Sequence, residues 1–167
     1  MNIRDMLLPV FEREMANTRK LLERTPVEKA DWKPHAKSMT MGRLAGHLAE
    51  LPGFAAMIMK QDKLDLTAMV KEGRQPFIAA SSSELLNRFD SSVAEARKAL
   101  ESASDQELSK VWSMELGGKT IVSMERYGVF QSIFLNHLVH HRAQLGVYFR
   151  LNDIPLPGLY GPSADES

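Results

Sequence analysis

The sequence predicts an all-α protein, a four-helix bundle with a small hairpin before its last helix. Three observations predict it. Four long segments carry apolar residues at three- and four-residue spacing, hydroxyl residues stand where helix caps are needed, and one short stretch alone has strand character. With 167 residues, 44% of them hydrophobic and 25% charged, the chain has the apolar material for one ordinary core, and residues 1–167 read as one domain.

The first helix is predicted over about Ile3 to Leu22. Leu7, Leu8, Phe11, Met15, Thr18 and Leu22 form its apolar stripe, while Arg4, Glu12, Arg13, Lys20 and Glu23 make a solvated face. Thr25-Pro26 stops it, because a residue before proline disfavours helical geometry. Pro26 is placed to open a short turn through Asp31. After Trp32-Lys33-Pro34-His35, Ser38 or Thr40 offers a capping hydroxyl to a second helix over about Thr40 to Lys60. Leu44, His47, Leu48, Leu51, Phe54, Ala55 and Ile58 share its apolar face. Pro52 cannot donate to the Leu48 carbonyl, so Pro52-Gly53 predicts a bend or a local opening one turn after His47.

Gln61 to Ala80 has poor periodicity, with room for a short helix around Leu66 to Glu72. Ser81 and Glu84 form a capping box that opens a third helix over about Ser83 to Glu101, with Leu85, Leu86, Phe89, Val93, Ala96 and Leu100 inward. Ser104 and Glu107 repeat that signal for a single turn through Ser109. Trp112 to Leu116, Gly117-Gly118 and Lys119 to Val122 resemble a hairpin with a glycine turn. Ser123 is then expected to cap the last helix, about Met124 to Leu151. Its inward stripe runs Tyr127, Phe130, Phe134, His137, Leu138, His141, Leu145 and Tyr148.

Lys+Arg and Asp+Glu both number 21, so the formal net charge is zero. Phosphate binding normally needs a basic surface, so no nucleic-acid partner is expected. There are no cysteines, hence no disulfide, thiolate ligand or cysteine nucleophile. Asp5, Glu12 and Glu14 interrupt the first residues, which lack the apolar core of a targeting segment, and no apolar run is long enough to span a bilayer. A cytoplasmic protein without a membrane partner is the expectation.

Three of the five histidines fall in Asn136-His137-Leu138-Val139-His140-His141-Arg142. His137 and His141 are four apart, so on a helix they stack on one face and can reach the same metal ion. His47, on the apolar stripe of the second helix, is the candidate third ligand. A single core histidine is more often a hydrogen-bonded packing residue. Three on facing apolar stripes are harder to explain as packing, because each needs its own buried partner. A three-histidine site leaves coordination positions open, as catalytic metals require, and its nitrogen ligands suit zinc, nickel or iron, with manganese a further candidate, better than magnesium or calcium. His140 is rotated about 100° from His141 and faces solvent or a partner subunit. His35 lies in a loop. No residue stands out as catalytic: Glu50 is three residues from His47 but reads as a surface ion-pair residue, and Arg142 and Gln144 read as solvent-exposed residues placed to support a ligand or a dimer face.

Several segments carry a resemblance: Trp32-Lys33-Pro34 before a capped helix, Met41-Gly42-Arg43-Leu44-Ala45-Gly46-His47-Leu48, and His137-Leu138-Val139-His140-His141-Arg142-Ala143-Gln144-Leu145. The tail Ile154-Pro155-Leu156-Pro157-Gly158-Leu159-Tyr160-Gly161 belongs with them. In this order they resemble the DinB-like four-helix bundles, which include YfiT-type proteins proposed to be hydrolases and certain thiol-dependent S-transferases. The resemblance implies an up-down-down-up bundle, often a homodimer, holding a divalent metal by His47, His137 and His141. It implies either a metal-dependent hydrolase or a thiol-dependent S-transferase acting on a small molecule. The alternative is a non-catalytic, stress-linked helical dimer that binds a metal or ligand. Ala143 departs from the glycine common after His-His-Arg, and Pro52-Gly53 departs from the expected pattern after the first histidine.

Overall fold

The first helix, α1, covers Ile3–Leu22, and a single 3-10 turn at Val27–Lys29 follows it. The computed structural model describes residues 2–73 and 75–166. Helix α2 covers Met41–Lys60 and is capped by Thr40, whose hydroxyl accepts from the Arg43 N–H at 3.2 Å. Such a cap contributes on the order of 1 kcal/mol. Pro52 sits inside α2 and the helix runs on through it. The residues beside it face α4, Ser82–Ser102: a Cβ on Gly53 would lie 3.9 Å from the Ser92 hydroxyl.

Between α2 and α4 the chain forms strand β1, Lys63–Asp65, and the short helix α3, Leu66–Lys71. The short helix was legible from sequence; the strand was not, since Lys-Leu-Asp carries no β-branched or aromatic residue. Ser81 caps α4 by accepting from Glu84 N–H, while the Glu84 carboxylate accepts from Ala80 N–H. The reciprocal bond of the capping box thus lands one residue earlier than the standard form. Ser104 similarly caps the one-turn helix α5, Asp105–Leu108.

Strand β2, Val111–Leu116, turns through Gly117-Gly118 into β3, Lys119–Glu125. Both glycines have positive φ, 57° and 76°, which a tight hairpin demands and side chains resist. The sheet order is β1-β2-β3, with β1 parallel and β3 antiparallel to β2. Ser123 therefore does not cap the last helix. It pairs with Ser113 in the ladder, which continues to Val111 opposite Glu125.

The last helical rod consequently starts later, at Arg126. It comprises α6 (Arg126–Val129), a π-helical turn (Phe130–Leu135) and α7 (Asn136–Arg150). Arg126 anchors its start. The side chain is buried, and its guanidinium donates to Asp62 at 2.6 Å and Glu107 at 3.1 Å, tying the rod to both flanking connections. At the end of the π turn, the Asn136 N–H donates to the Gln131 carbonyl five residues back.

Pairings between helices set their directions. Arg4, Glu12 and Arg19 of α1 meet Glu101, Arg97 and Asp90 of α4, so these helices are antiparallel. Glu50 and Lys60 of α2 meet Arg88 and Glu95 of α4, so those two are parallel. His47 of α2 meets His137, whereas the Gln61 carbonyl beyond its end meets Arg126, so α2 and the last rod are antiparallel. The bundle is up-down-down-up. The parallel α2–α4 pair requires the chain to travel back along the bundle between them, and the 61–81 connection does so. Surface pairs of this kind each contribute about 0.2–1 kcal/mol, so they report register more than they hold it. The core holds it: Phe11, Phe130 and Phe134 form one aromatic knot with centroids 5.1–6.2 Å apart. No described helix is long and apolar enough to cross a membrane.

Candidate metal centre

His47 comes from the second turn of α2, and His137 and His141 from the first two turns of α7. The four-residue spacing stacks the α7 pair, and the antiparallel packing of α2 sets His47 against it. Ring centroids lie 4.5 Å (His137–His141), 4.7 Å (His47–His141) and 5.1 Å (His47–His137) apart. The Nε2 atoms point inward: His47 and His137 are 3.3 Å apart, His137 and His141 2.7 Å, and all three ligand atoms lie within 4.8 Å of one another. Ligand bonds of about 2.0–2.1 Å in a tetrahedral zinc site put neighbouring nitrogens roughly 3.3 Å apart. The cluster is near that spacing without repacking.

Burial keeps its imidazoles in the form that can bind a cation. His141 is buried, and His47 and His137 are half-buried. Burial, then the neighbouring His141, His137 and Arg43, hold the His47 imidazole down to about 4. Burial is also the first cause lowering His137 and His141 from their ordinary value. All three are therefore neutral at pH 7, which is the ligating form.

The His141 Nδ1–H donates to Gln144 Oε1 at 2.7 Å, one turn further along α7. With that proton placed on Nδ1, the His141 Nε2 turns a lone pair toward the cluster. Sequence reasoning had put Gln144 on the exposed surface, and the residue is indeed exposed, but its amide oxygen reaches back to a histidine. Arg142 departs further from expectation. It is 2% exposed and points to α1, where Nη1 donates to the Glu14 carbonyl at 2.9 Å and to Thr18 Oγ1 at 3.1 Å. Its Nη2 donates to the Glu14 carboxylate at 2.6 Å and to the Tyr160 hydroxyl, and Tyr160 in turn donates to Glu14. Glu14 is likewise buried, and Arg142 arrives from another helix to neutralise it.

The remaining candidates fall outside the cluster. Glu50 pairs with Arg88 at 3.1 Å, as its surface-ion-pair reading predicts. His140 is exposed, although its ring stacks edgewise on His141 at 5.0 Å. His35 is exposed in its loop and accepts from Lys37 N–H. Arg43, one turn before His47 on α2, was quoted only as part of a motif; the same four-residue spacing that pairs His137 with His141 marks it as a neighbour of the cluster. Gly46, beside His47, is required by packing: a Cβ there would come within 2.0 Å of the Phe77 carbonyl oxygen, so the chain before α4 lies directly on the backbone of the site.

No curated protein matches the chain significantly. Among solved structures it is similar to a DinB-like protein of Bacillus subtilis, with a TM-score of 0.68 at 17% identity, covering 97% of this chain and 99% of that one. A DinB-like protein of Bacillus cereus is similar to the same degree, with a TM-score of 0.68 at 20% identity over 92% of this chain and 95% of the other. These likenesses establish the fold. The sequence itself matches the profile of the DinB superfamily over residues 11–145, from the middle of α1 to the last turns of α7. That span takes in all four bundle helices and all three clustered histidines, and the chain belongs to the DinB superfamily.

Proposed function

We propose that this protein is a divalent-metal-dependent enzyme, a hydrolase or a thiol-dependent S-transferase, with His47, His137 and His141 as the metal ligands. The observation that carries the reading is the convergence of three neutral Nε2 atoms from two helices, two of the rings half-buried and one buried. Three protein ligands leave positions for water and substrate. The all-nitrogen set suits zinc or nickel first, with iron or manganese as alternatives. Bound there, the ion supplies Lewis acidity, which makes a nucleophile of water or a thiol at neutral pH. The chain's own residues hold the three imidazoles deprotonated by burial and turn the His141 ring through Gln144. Since the chain has no cysteine, a thiol must arrive with the substrate. A homodimer goes with this reading on the strength of the family alone, and a cytoplasmic location on the sequence expectation.

One observation favours a second reading, a non-catalytic metal-binding module. Among the described residues the candidate cluster consists of histidines alone, with no carboxylate as a member to serve as general base.

Elemental analysis of untagged protein, reconstituted with zinc or nickel, separates a metal site from packed histidines. The expected result is about one ion per chain, bound roughly 100-fold more weakly in His137→Ala, since one ligand carries about 3 kcal/mol of such a site. A wild-type protein without stoichiometric metal overturns the proposal. If metal binds, hydrolysis and thiol-transfer screens of wild type against His47→Ala separate the two readings, and equal rates reject the enzyme.

A further inference from the structure

Arg43 lies four residues before His47 on α2, so its side chain and that imidazole share one face of the helix. Its guanidinium Nη1 is buried and, among the described residues, has no hydrogen-bond partner. A buried donor left unpaired is costly, and a charged one more so. The surroundings make this worse. The positive charge of Arg43 already acts on both His47 and His141, and a divalent ion between the histidines would add repulsion to desolvation. One anionic group lying between the ion and the guanidinium relieves both costs.

Among the described residues, Arg142 is held by Glu14, Thr18 and Tyr160 on another face of α7, and Arg88 is paired with Glu50, so both are committed elsewhere. A single cation offering one buried nitrogen suits a monoanion with a planar acceptor better than a doubly charged phosphate, which calls for several donors.

We propose that Arg43 is a specificity-determining residue that receives a carboxylate of the substrate, so that the site selects carboxylate-bearing molecules over their neutral counterparts. The inference rests on the assignment of His47, His137 and His141 as metal ligands. It extends that assignment from a reaction type to a substrate class.

The test uses the full-length protein loaded with cobalt(II), whose absorption bands report ligand exchange without any assay of activity. Two probes are compared, 3-mercaptopropionate and its methyl ester, which differ in the carboxylate charge. Wild type is expected to bind the acid about tenfold or more tightly than the ester. Arg43→Gln is expected to lose that preference while binding the ester within about threefold of wild type, and Arg43→Lys to keep part of it, since charge remains but the planar fork does not. An acid-to-ester ratio unchanged in Arg43→Gln, or cobalt protein that takes neither thiol, overturns the role of Arg43 and leaves the metal site standing. Failure of wild type to take up cobalt overturns the metal site and this inference together.

Discussion

Two polar clusters lie on different faces of α7, about 100° apart, built by consecutive residues. His141 turns toward α2 and joins His47 and His137; Arg142 turns toward α1 and joins Glu14, Thr18 and Tyr160. In the second cluster both charges are nearly fully buried and each is answered by the other: Arg142 and Glu14 are 2% and 4% exposed and 2.6 Å apart. Burial alone raises the Glu14 carboxyl, but the hydrogen bonds from Tyr160 and Arg142 together outweigh it and hold the group below the usual carboxylate value. In the first cluster three neutral nitrogens face one another, and the Arg43 guanidinium on the same face of α2 has a nitrogen with no hydrogen-bond partner among the described residues. A cluster complete within itself stabilises the fold. One left with excess lone pairs and an unpaired donor does not complete itself; the proposed metal and substrate would supply what it lacks.

The largest effect should come from breaking the complete cluster. Replacing Arg142 by Met leaves Glu14 charged and buried without a partner, and should cost about 3–5 kcal/mol in urea unfolding. The double variant Glu14→Leu/Arg142→Met should recover most of that, because two apolar side chains of similar size need no pairing. A single and a double variant equally destabilised would show that packing, not charge, decides the site.

A smaller effect is expected across α7. If His141 is a metal ligand as proposed, Gln144→Ala should weaken metal binding by roughly 10–100-fold, since the residue would orient a ligand without touching the ion. Because Gln144 is exposed, unfolding free energy should change by less than about 0.5 kcal/mol. Competition titration with a chromophoric chelator reads the first quantity and urea unfolding the second; a matched loss of both would erase the distinction between the clusters.

A third effect should separate the clusters by pH. The His47 value falls from 6.5 to about 4 on folding, so the unfolded chain binds more protons than the native one between these values. Metal-free protein should therefore lose stability as pH drops from about 6.5 toward 4, with the contribution of Glu14 lost only below the ordinary carboxylate value of 4.5. Urea midpoints measured across pH 3–7 should show two steps, and His47→Ala should reduce only the upper one, to which His137 and His141 also contribute.

The bundle was legible because its helices announce themselves. The stripe from Leu7 to Leu22 and the capping residues Thr40, Ser81 and Ser104 are local signals, and the helices begin within a residue or so of where those signals put them. The hairpin was legible for the same reason, since adjacent glycines in a tight turn have few other uses. The start of the last helix was misplaced because Ser123 has a good capping hydroxyl, but the ladder opposite Ser113 claims its backbone first.

The sequence by itself determined which residues lie on helices and that His137 and His141 share a face, because a helix repeats every 3.6 residues whatever it packs against. It placed His47 on an apolar stripe but not against its partners. That meeting, the pairing of Arg142 with Glu14 across 128 positions, and the unanswered nitrogen of Arg43 were decided only by how the helices pack. The physical reason is that burying a polar group is costly unless another element supplies its partner. Which element arrives, and whether any does, is a property of the folded bundle and not of the local sequence.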